Sequence, residues 1–450
     1  MHLQRIQVPD FRVLKDVDIT FEKEFVPRIF PLGSLNGGGK STLLQLIFVL
    51  LHCSTDSDRT VFLKNMLNGF KIYENADKRV IAIVDVWDGE KSVKLEFFSY
   101  KDSYIRNLLN EAGDEAGDED DDYKYLYFST LEDIKEIQDK KFRKTKGIKF
   151  SQIRKYFGKA KSEELMRTQS ELEEFENKYK KLKVYSEKII QYLQSKNLIY
   201  ICSYSVNEDE DEVLLCKIDN VDINKAESFL EKLSQKVFLA APATQVFLFI
   251  SKESRKFLFR NLSKDEENKN HSYYSELQAA NSNLPGFFAY DFLAVELLVE
   301  SFKAAGERDF KEAIETGEYG NNYKELMNDL NAMLSNKKIN LNPDFSGVNF
   351  KLDRDGESIE LLPEDLSHGE LKRLSIYMWT KYHSMEDAII LMDEVEIAFH
   401  PDWQYQIISD LKQWAPNNQY ILATHSYELC QALTPSHVKE LEPKLLKKEA

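Results

Sequence analysis

No stretch of this chain is apolar for long enough to cross a bilayer; the run Leu43 to Leu51, broken only by Gln45, falls far short of the about 20 residues a spanning helix needs. Met1 is not followed by a basic and then apolar leader but by a strand-like stretch. Both features point to a cytoplasmic protein with no membrane partner. Cysteine is also scarce. Cys53, Cys202, Cys216 and Cys430 lie far apart with no C-x-x-C spacing, which argues against zinc support and for reduced core thiols. Positive charge is in deficit: 76 acidic against 60 basic side chains leave −16, so any contact with nucleic acid has to come from a local patch. Hydrophobic residues make up 42% and charged residues 30%, the balance of a soluble globular protein. Its 450 residues suffice for one large domain with an insertion or for two to three ordinary ones.

Met1 to Phe25 alternates apolar and polar residues as half-buried strands do, and Pro27 breaks the pattern before a short apolar run ending near Pro31. A glycine-rich turn at Gly33 to Gly39 leads into an apolar helix from Lys40, and strands are expected at Val80 to Trp87 and Val93 to Phe98. Glu111 to Asp122 carries eight carboxylates and no base, so self-repulsion predicts a disordered surface loop. A basic segment, Lys140 to Lys161, interleaves Phe142, Phe150, Tyr156 and Phe157; a solvated surface and a nucleic-acid or effector contact both fit it. Leu172, Phe175, Tyr179, Leu182, Ile189 and Leu193 then mark a heptad seam, predicting a coiled-coil-like helix of roughly 30 to 40 residues. After an acidic loop at Glu208 to Glu212, a strand is expected at Val246 to Ile250 and a helix at Phe287 to Lys303. Val348 to Leu352 and Ser358 to Leu362 flank Asp355-Gly356 as the arms of a β-hairpin do. Helix, buried strand, helix and buried strand follow up to His425. The expected architecture is an α/β head whose halves, residues 1–105 and 336–450, are split by a mainly helical insertion, 106–335.

Ser34-Leu35-Asn36-Gly37-Gly38-Gly39-Lys40-Ser41-Thr42 sits between a strand and a helix, the setting of a P-loop. Asn36, the three glycines and Thr42 would turn backbone N–H groups onto phosphate oxygens, Lys40 would reach the β- and γ-phosphates, and Ser41 would ligate Mg²⁺. Ser34 stands where the pattern usually has its first glycine. Far along the chain, Ile389 to Met392 ends in Asp393-Glu394, suited to holding a magnesium shell and polarising an attacking water. A second apolar run ends at His425, placed to hydrogen-bond a γ-phosphate. Between these lies Leu366-Ser367-His368-Gly369-Glu370, whose Ser367 and Glu370 form a capping box and whose Gly369 leaves its N–H open.

Leu366 to Glu370 resembles the signature of ABC ATPases, usually Leu-Ser-Gly-Gly-Gln, and Asp393-Glu394 resembles their Walker B ending. The order of the motifs, with roughly 300 residues between the first two, resembles the SMC, RecF and OLD group. Phe11-Arg12 and Asp393-Glu394-Val395-Glu396-Ile397-Ala398-Phe399-His400-Pro401 are similar to that group, which commonly has proline at the place of Val395. Within it, the compact insertion, the Ser-His-Gly-Glu signature and the short tail after His425 are similar to the PtuA ATPases of the Septu anti-phage system. That resemblance implies ATP and Mg²⁺ as cofactors and a homodimer sandwiching ATP, with Ser367, Gly369 and Glu370 on the nucleotide of the opposing subunit. It also implies a higher homo-oligomer and a separate HNH nuclease of PtuB type through which DNA is contacted. No His-Asn-His cluster occurs, and the 25 residues after His425 are too few for the Toprim nuclease of OLD proteins. The ATPase scaffold of another defence system, AriA-like as in PARIS, and a RecF-like repair ATPase are the alternatives. One departure bears on rate. No glutamine occurs between Gln45 and Gln138, so the usual Q-loop residue lies in the insertion or is missing, and a site lacking it would hydrolyse ATP slowly.

Overall fold

The computed structural model describes residues 1–101, 191–207, 210–252, 254, 273–290, 294–334, 336–344, 346–354, 357–382 and 385–441. The first acidic stretch, the basic segment and the heptad seam apart from Leu193 lie outside these residues. Among those described, no helix is long and apolar enough to cross a membrane.

Three sheets organise the chain. The first is antiparallel with six strands in the order β2-β1-β4-β5-β7-β6: β1 (His2–Phe11), β2 (Leu14–Thr20), β4 (Lys78–Trp87), β5 (Ser92–Lys101), β6 (Leu198–Asn207) and β7 (Glu210–Asp219). A bulge between Leu3 and Arg5 explains why the inward residues of β1 step from Leu3 to Ile6 instead of alternating. The second sheet, also six-stranded, holds β3 (Ile29–Gly33), β8 (Val237–Ala241), β9 (Phe287–Ala289), β13 (Ile389–Asp393), β14 (Gln419–Ala423) and β15 (Lys439–Glu440) in the order β15-β3-β14-β13-β8-β9. Every pairing in it is parallel. A third sheet of three strands, β10 (Lys337–Leu341), β11 (Val348–Arg354) and β12 (Glu357–Leu361), contains the expected hairpin.

The parallel sheet is buried on both faces, so its strands read as continuous apolar runs. In β13, Ile389 and Leu391 join one core while Ile390 and Met392 join the other. The first core lies between the two large sheets around α1 (Lys40–Cys53), which is buried on nearly all sides and therefore apolar all round. It also takes in α2 (Thr60–Leu67), α3 (Ile223–Ser234) and α4 (Tyr273–Asn283). The second core gathers α5 (Ala294–Thr316), α6 (Asn322–Met333), α7 (His368–Tyr382), α8 (Pro401–Trp414) and the three-stranded sheet, with α9 (Tyr427–Gln431) at its margin. Gln419 of β14 clasps the backbone of Leu3 from both sides: its amide donates to the carbonyl at 2.8 Å and its oxygen accepts the N–H at 2.7 Å. The clasp fixes the two large sheets to each other.

Several expectations for residues 106–335 require correction. From Leu198 onward this segment is not separate from the head: β6 and β7 extend the antiparallel sheet, and β8 and β9 extend the parallel one. Of the second acidic stretch, Glu210 to Glu212 belong to β7, which pairs antiparallel with β6, and are no loop. Val246 to Ile250 is no strand. Val246, Leu248, Phe249 and Ile250 are buried, but the N–H of Leu248 donates to the Gln45 side chain at 2.9 Å instead of to a neighbouring strand. Phe287 to Lys303 divides into β9, drawn into pairing with Leu239 to Ala241, and α5, which begins at Ala294. Leu193 packs against Phe98, Tyr200, Val213 and Leu215, so the C-terminal end of the heptad seam rests on the head.

Candidate functional site

The loop between β3 and α1 turns through Gly37 and Gly39, at φ of 81° and 90°, a left-handed conformation that side chains resist. A Cβ on Gly39 would also stand 2.7 Å from the Leu14 side chain, and one on Gly38 would collide with Ser34 Oγ. Ser34, the departure from the usual pattern, receives the Lys40 ammonium on both its carbonyl and its hydroxyl at 3.2 Å. Lys40 is buried, and desolvation lowers its pKa against the opposing pull of Asp393, Glu396 and Glu394.

Parallel pairing of β13 with β14 sets Asp393 beside Ala423, so Asp393 and His425 leave the sheet at the same carboxyl edge. Ser41 Oγ donates to Asp393 Oδ1 at 3.0 Å, and Lys40 Nζ lies 3.5 Å from His425 Nδ1. Glu394 turns out of the strand at φ 48°, its N–H on the Ala423 carbonyl at 2.9 Å. Lys40, Ser41, Asp393, Glu394 and His425 thus converge although the first pair and the last are over 350 residues apart.

One residue of this centre, Gln245, was not singled out from the sequence. Gln245, just beyond β8, brings its amide nitrogen to 3.5 Å from Glu394 Oε2, while its carbonyl accepts from Gln45 Nε2 at 2.6 Å. Since β8 neighbours β13, this is a glutamine beside the Glu394 carboxylate, supplied from late in the expected insertion, one of the two places expected for the Q-loop residue. Glu396, two residues beyond Glu394, accepts the backbone N–H of His425 at 2.7 Å and so fastens the histidine turn.

Ser367 and Glu370 form the anticipated capping box. Ser367 donates its N–H at 3.0 Å and its hydroxyl at 2.9 Å to Glu370 Oε2, and the N–H of Glu370 returns to Ser367 Oγ at 3.2 Å. Burial works to raise the Glu370 pKa, but hydrogen bonds from Lys337 and Ser367 outweigh it and hold the carboxyl below its usual value. Lys337 Nζ sits at 2.6 and 2.8 Å from the two carboxylate oxygens. Ser367 and His368 are exposed, and among the described residues no hydrogen bond joins this turn to Lys40, Ser41 or Asp393.

Comparison with protein families matches residues 1–430 to the AAA ATPase domain. The chain belongs to that family. Among curated relatives, the ATPase domain is 39% identical over 52 residues to the Retron Vc95 probable ATPase of Vibrio cholerae serotype O1 biovar El Tor, covering 12% of this chain and 10% of the relative. It is 29% identical over 114 residues to the Retron Ec83 probable ATPase of Escherichia coli, covering 21% of each. The chain therefore spans about a tenth to a fifth of the length of these relatives. Among solved structures it is similar to an Smc head domain with an extended coiled coil bound to the C-terminal domain of ScpA, derived from Pyrococcus furiosus, at 12% identity and a TM-score of 0.33, covering 96% of this chain and 91% of that one. An SmcHead bound to the C-winged helix domain of ScpA matches at 9% identity and a TM-score of 0.38, covering 96% and 92%. Likenesses this distant carry no weight beside the family match and the sheets themselves.

The ATPase domain's residues fit a magnesium–nucleotide group. The glycine cradle has no room for side chains at Gly38 and Gly39, and Asp393 Oδ2 and Glu396 Oε2 are buried without a hydrogen-bond partner among the described residues. Desolvation, with Glu394 and Glu396 nearby, pushes the Asp393 carboxyl up to about 7 against the Ser41 hydrogen bond and Lys40. Between the ordinary carboxylate range and pH 7 the folded state therefore binds more protons here than the unfolded state, so this residue's contribution falls as pH rises through that window. In a chelator, Asp393→Asn is expected to raise the thermal midpoint of the protein, and by more at pH 8 than at pH 5. Thermal unfolding of both proteins at the two pH values checks this; an equal difference at each would contradict it.

Proposed function

We propose that this ATPase is an ABC-type subunit of an anti-phage defence complex, paired with a second copy through sandwiched ATP, and that its nucleotide state controls a separate HNH nuclease. One observation carries the nucleotide reading: Lys40, Ser41, Asp393 and His425 meet at one sheet edge, with Glu394 and Gln245 beside them. In this reading Lys40 and the loop amides from Asn36 to Thr42 bind the phosphates, and Ser41 and Asp393 hold magnesium. Glu394 orients the attacking water and His425 contacts the γ-phosphate. Magnesium, when bound, neutralises charge developing on the phosphoryl oxygens. The exposed Ser367, the N–H of Gly369 and Glu370 then cap the nucleotide of the opposing copy, where a helix N-terminus favours an anion.

The defence setting is supported by the segments shared with the two retron ATPases and by the resemblance to PtuA. The HNH partner, the higher homo-oligomer and DNA contact through the partner rest on that resemblance. Ser367→Arg is the first test. It places a bulky charge where the opposing nucleotide sits in the proposed pair, so ATP should bind with little change while hydrolysis falls about a hundredfold or more. Parental turnover by this variant would show that the turn is only a helix cap. For the partner, mass measurement of the chain with its neighbouring gene product, with and without ATP, should give a stable complex containing several copies of the chain; separate masses under all conditions would count against it.

A further inference from the structure

The signature turn and the hydrolytic turn of the same chain are in direct contact. Asp393 ends β13, and the following turn holds two non-glycine residues in the left-handed region, Glu394 at φ 48° and Ala398 at φ 69°. Such a conformation costs energy and persists where surroundings over-determine it. Lys372, on the second turn of α7 and buried, donates to the carbonyl of Glu394 at 3.0 Å and to that of Ile397 at 3.2 Å. Its ammonium lies 4.1 Å from the centre of the Tyr290 ring and 5.5 Å from that of Phe399, so aromatic faces cover what the carbonyls do not. Nearer the helix start, a Cβ on Gly369 would stand 2.6 Å from the Ala398 carbonyl, so the lack of a side chain there lets the signature turn lie against the same loop.

We propose that Lys372 is a positioning residue that ties the N-terminal turn of α7 to the backbone of Glu394, so that engagement of Ser367 and Gly369 with one nucleotide adjusts the hydrolytic carboxylate at the other. The proposal rests on the ATPase reading above. Within a pair, the signature turn of one copy faces the nucleotide of its neighbour while its own Glu394 serves its own nucleotide. A rigid ammonium link between them makes the two sites sense each other through one helix turn. Lys372 donates to backbone oxygens of that turn and acts through Glu394, not on substrate.

The test measures ATP affinity and steady-state turnover of the full chain carrying Lys372→Met, which keeps the length of the side chain without its donors, and Lys372→Arg, which keeps the charge. Lys372→Met is expected to lower kcat about tenfold or more while the Kd for ATP stays within about twofold, and Lys372→Arg to recover much of the loss. A merely structural lysine would not separate kcat from binding in this way. Turnover at the parental rate by Lys372→Met, or by Lys372→Gln should the methionine variant not fold, overturns the proposal. Failure of every neutral variant to fold also overturns it, because the ammonium would then be a folding element. A parent chain that neither binds nor hydrolyses ATP sinks the ATPase reading and the coupling with it, whereas an active parent with an equally active Lys372→Met sinks the coupling alone.

Discussion

Lys40→Ala is expected to abolish measurable ATP binding while leaving the protein folded. In the ligand-free loop the ammonium is held by Ser34 and sits 3.5 Å from His425, with Asp393, Glu394 and Glu396 around it. It is thus a partly desolvated charge kept at the mouth of a backbone cradle, facing where the β- and γ-phosphates would lie. Removing one member of a desolvated charge pair costs about 2–5 kcal/mol, which takes a micromolar Kd toward the millimolar range. Loss of the fold is not expected, since the aliphatic stem contributes little beside the apolar length of α1, Leu43 to Leu51. Calorimetric titration with ATP-Mg²⁺, alongside circular dichroism, checks both halves. Unchanged affinity would remove Lys40 from the site.

Glu394→Gln is expected to bind ATP as the parent does and to lower turnover by roughly 10²–10⁴-fold, the usual contribution of a positioned base. The geometry gives the reason. Glu394 follows Asp393 at the end of a central strand, its N–H is pinned to Ala423, and its carboxylate faces the Gln245 amide. Glutamine preserves that shape and removes the charge that would polarise water in line with a γ-phosphate. ATP-bound, paired protein should accumulate, visible as a gain in the paired species at equal ATP. Single-turnover kinetics at saturating ATP would settle the matter; turnover at the parental rate would leave the carboxylate with a structural role.

The parts of this site that were legible in the sequence are those in which a contiguous motif ends a strand or opens a helix. The P-loop, the end of β13 and the turn after β14 each carry their own local signal, and parallel pairing of β13 with β14 brings two of them together. The capping box at Ser367 and Glu370 was legible for the same reason. Gln245 and Lys372 were not, because each acts through a contact that its neighbours in sequence do not encode. Gln245 reaches Glu394 because β8 adds to the parallel sheet, and an apolar pentapeptide such as Val237–Ala241 looks alike wherever it pairs. Lys372 looks like a solvated residue of a helix, yet it is buried because α7 lies across the turn it clamps. The division into head and insertion erred likewise: β6 to β9 carry no mark of the sheets they enter.

In the proposed pair, one chain's P-loop and another chain's signature make a single working site. Mixing Lys40→Ala with Ser367→Arg, with ATP hydrolysis read at fixed total protein, separates a shared site from two independent ones. Each variant alone should be nearly inactive. In a heterodimer, the P-loop of the Ser367→Arg chain faces the intact signature of the Lys40→Ala chain, so one composite site of two is whole. Random pairing makes about half of the dimers heterodimers, each with one whole site of two, so about a quarter of the sites are whole and the mixture should recover at most about a quarter of the parental rate. A mixture no more active than the two variants measured separately, in protein shown by mass to exchange subunits, would contradict the shared-site account.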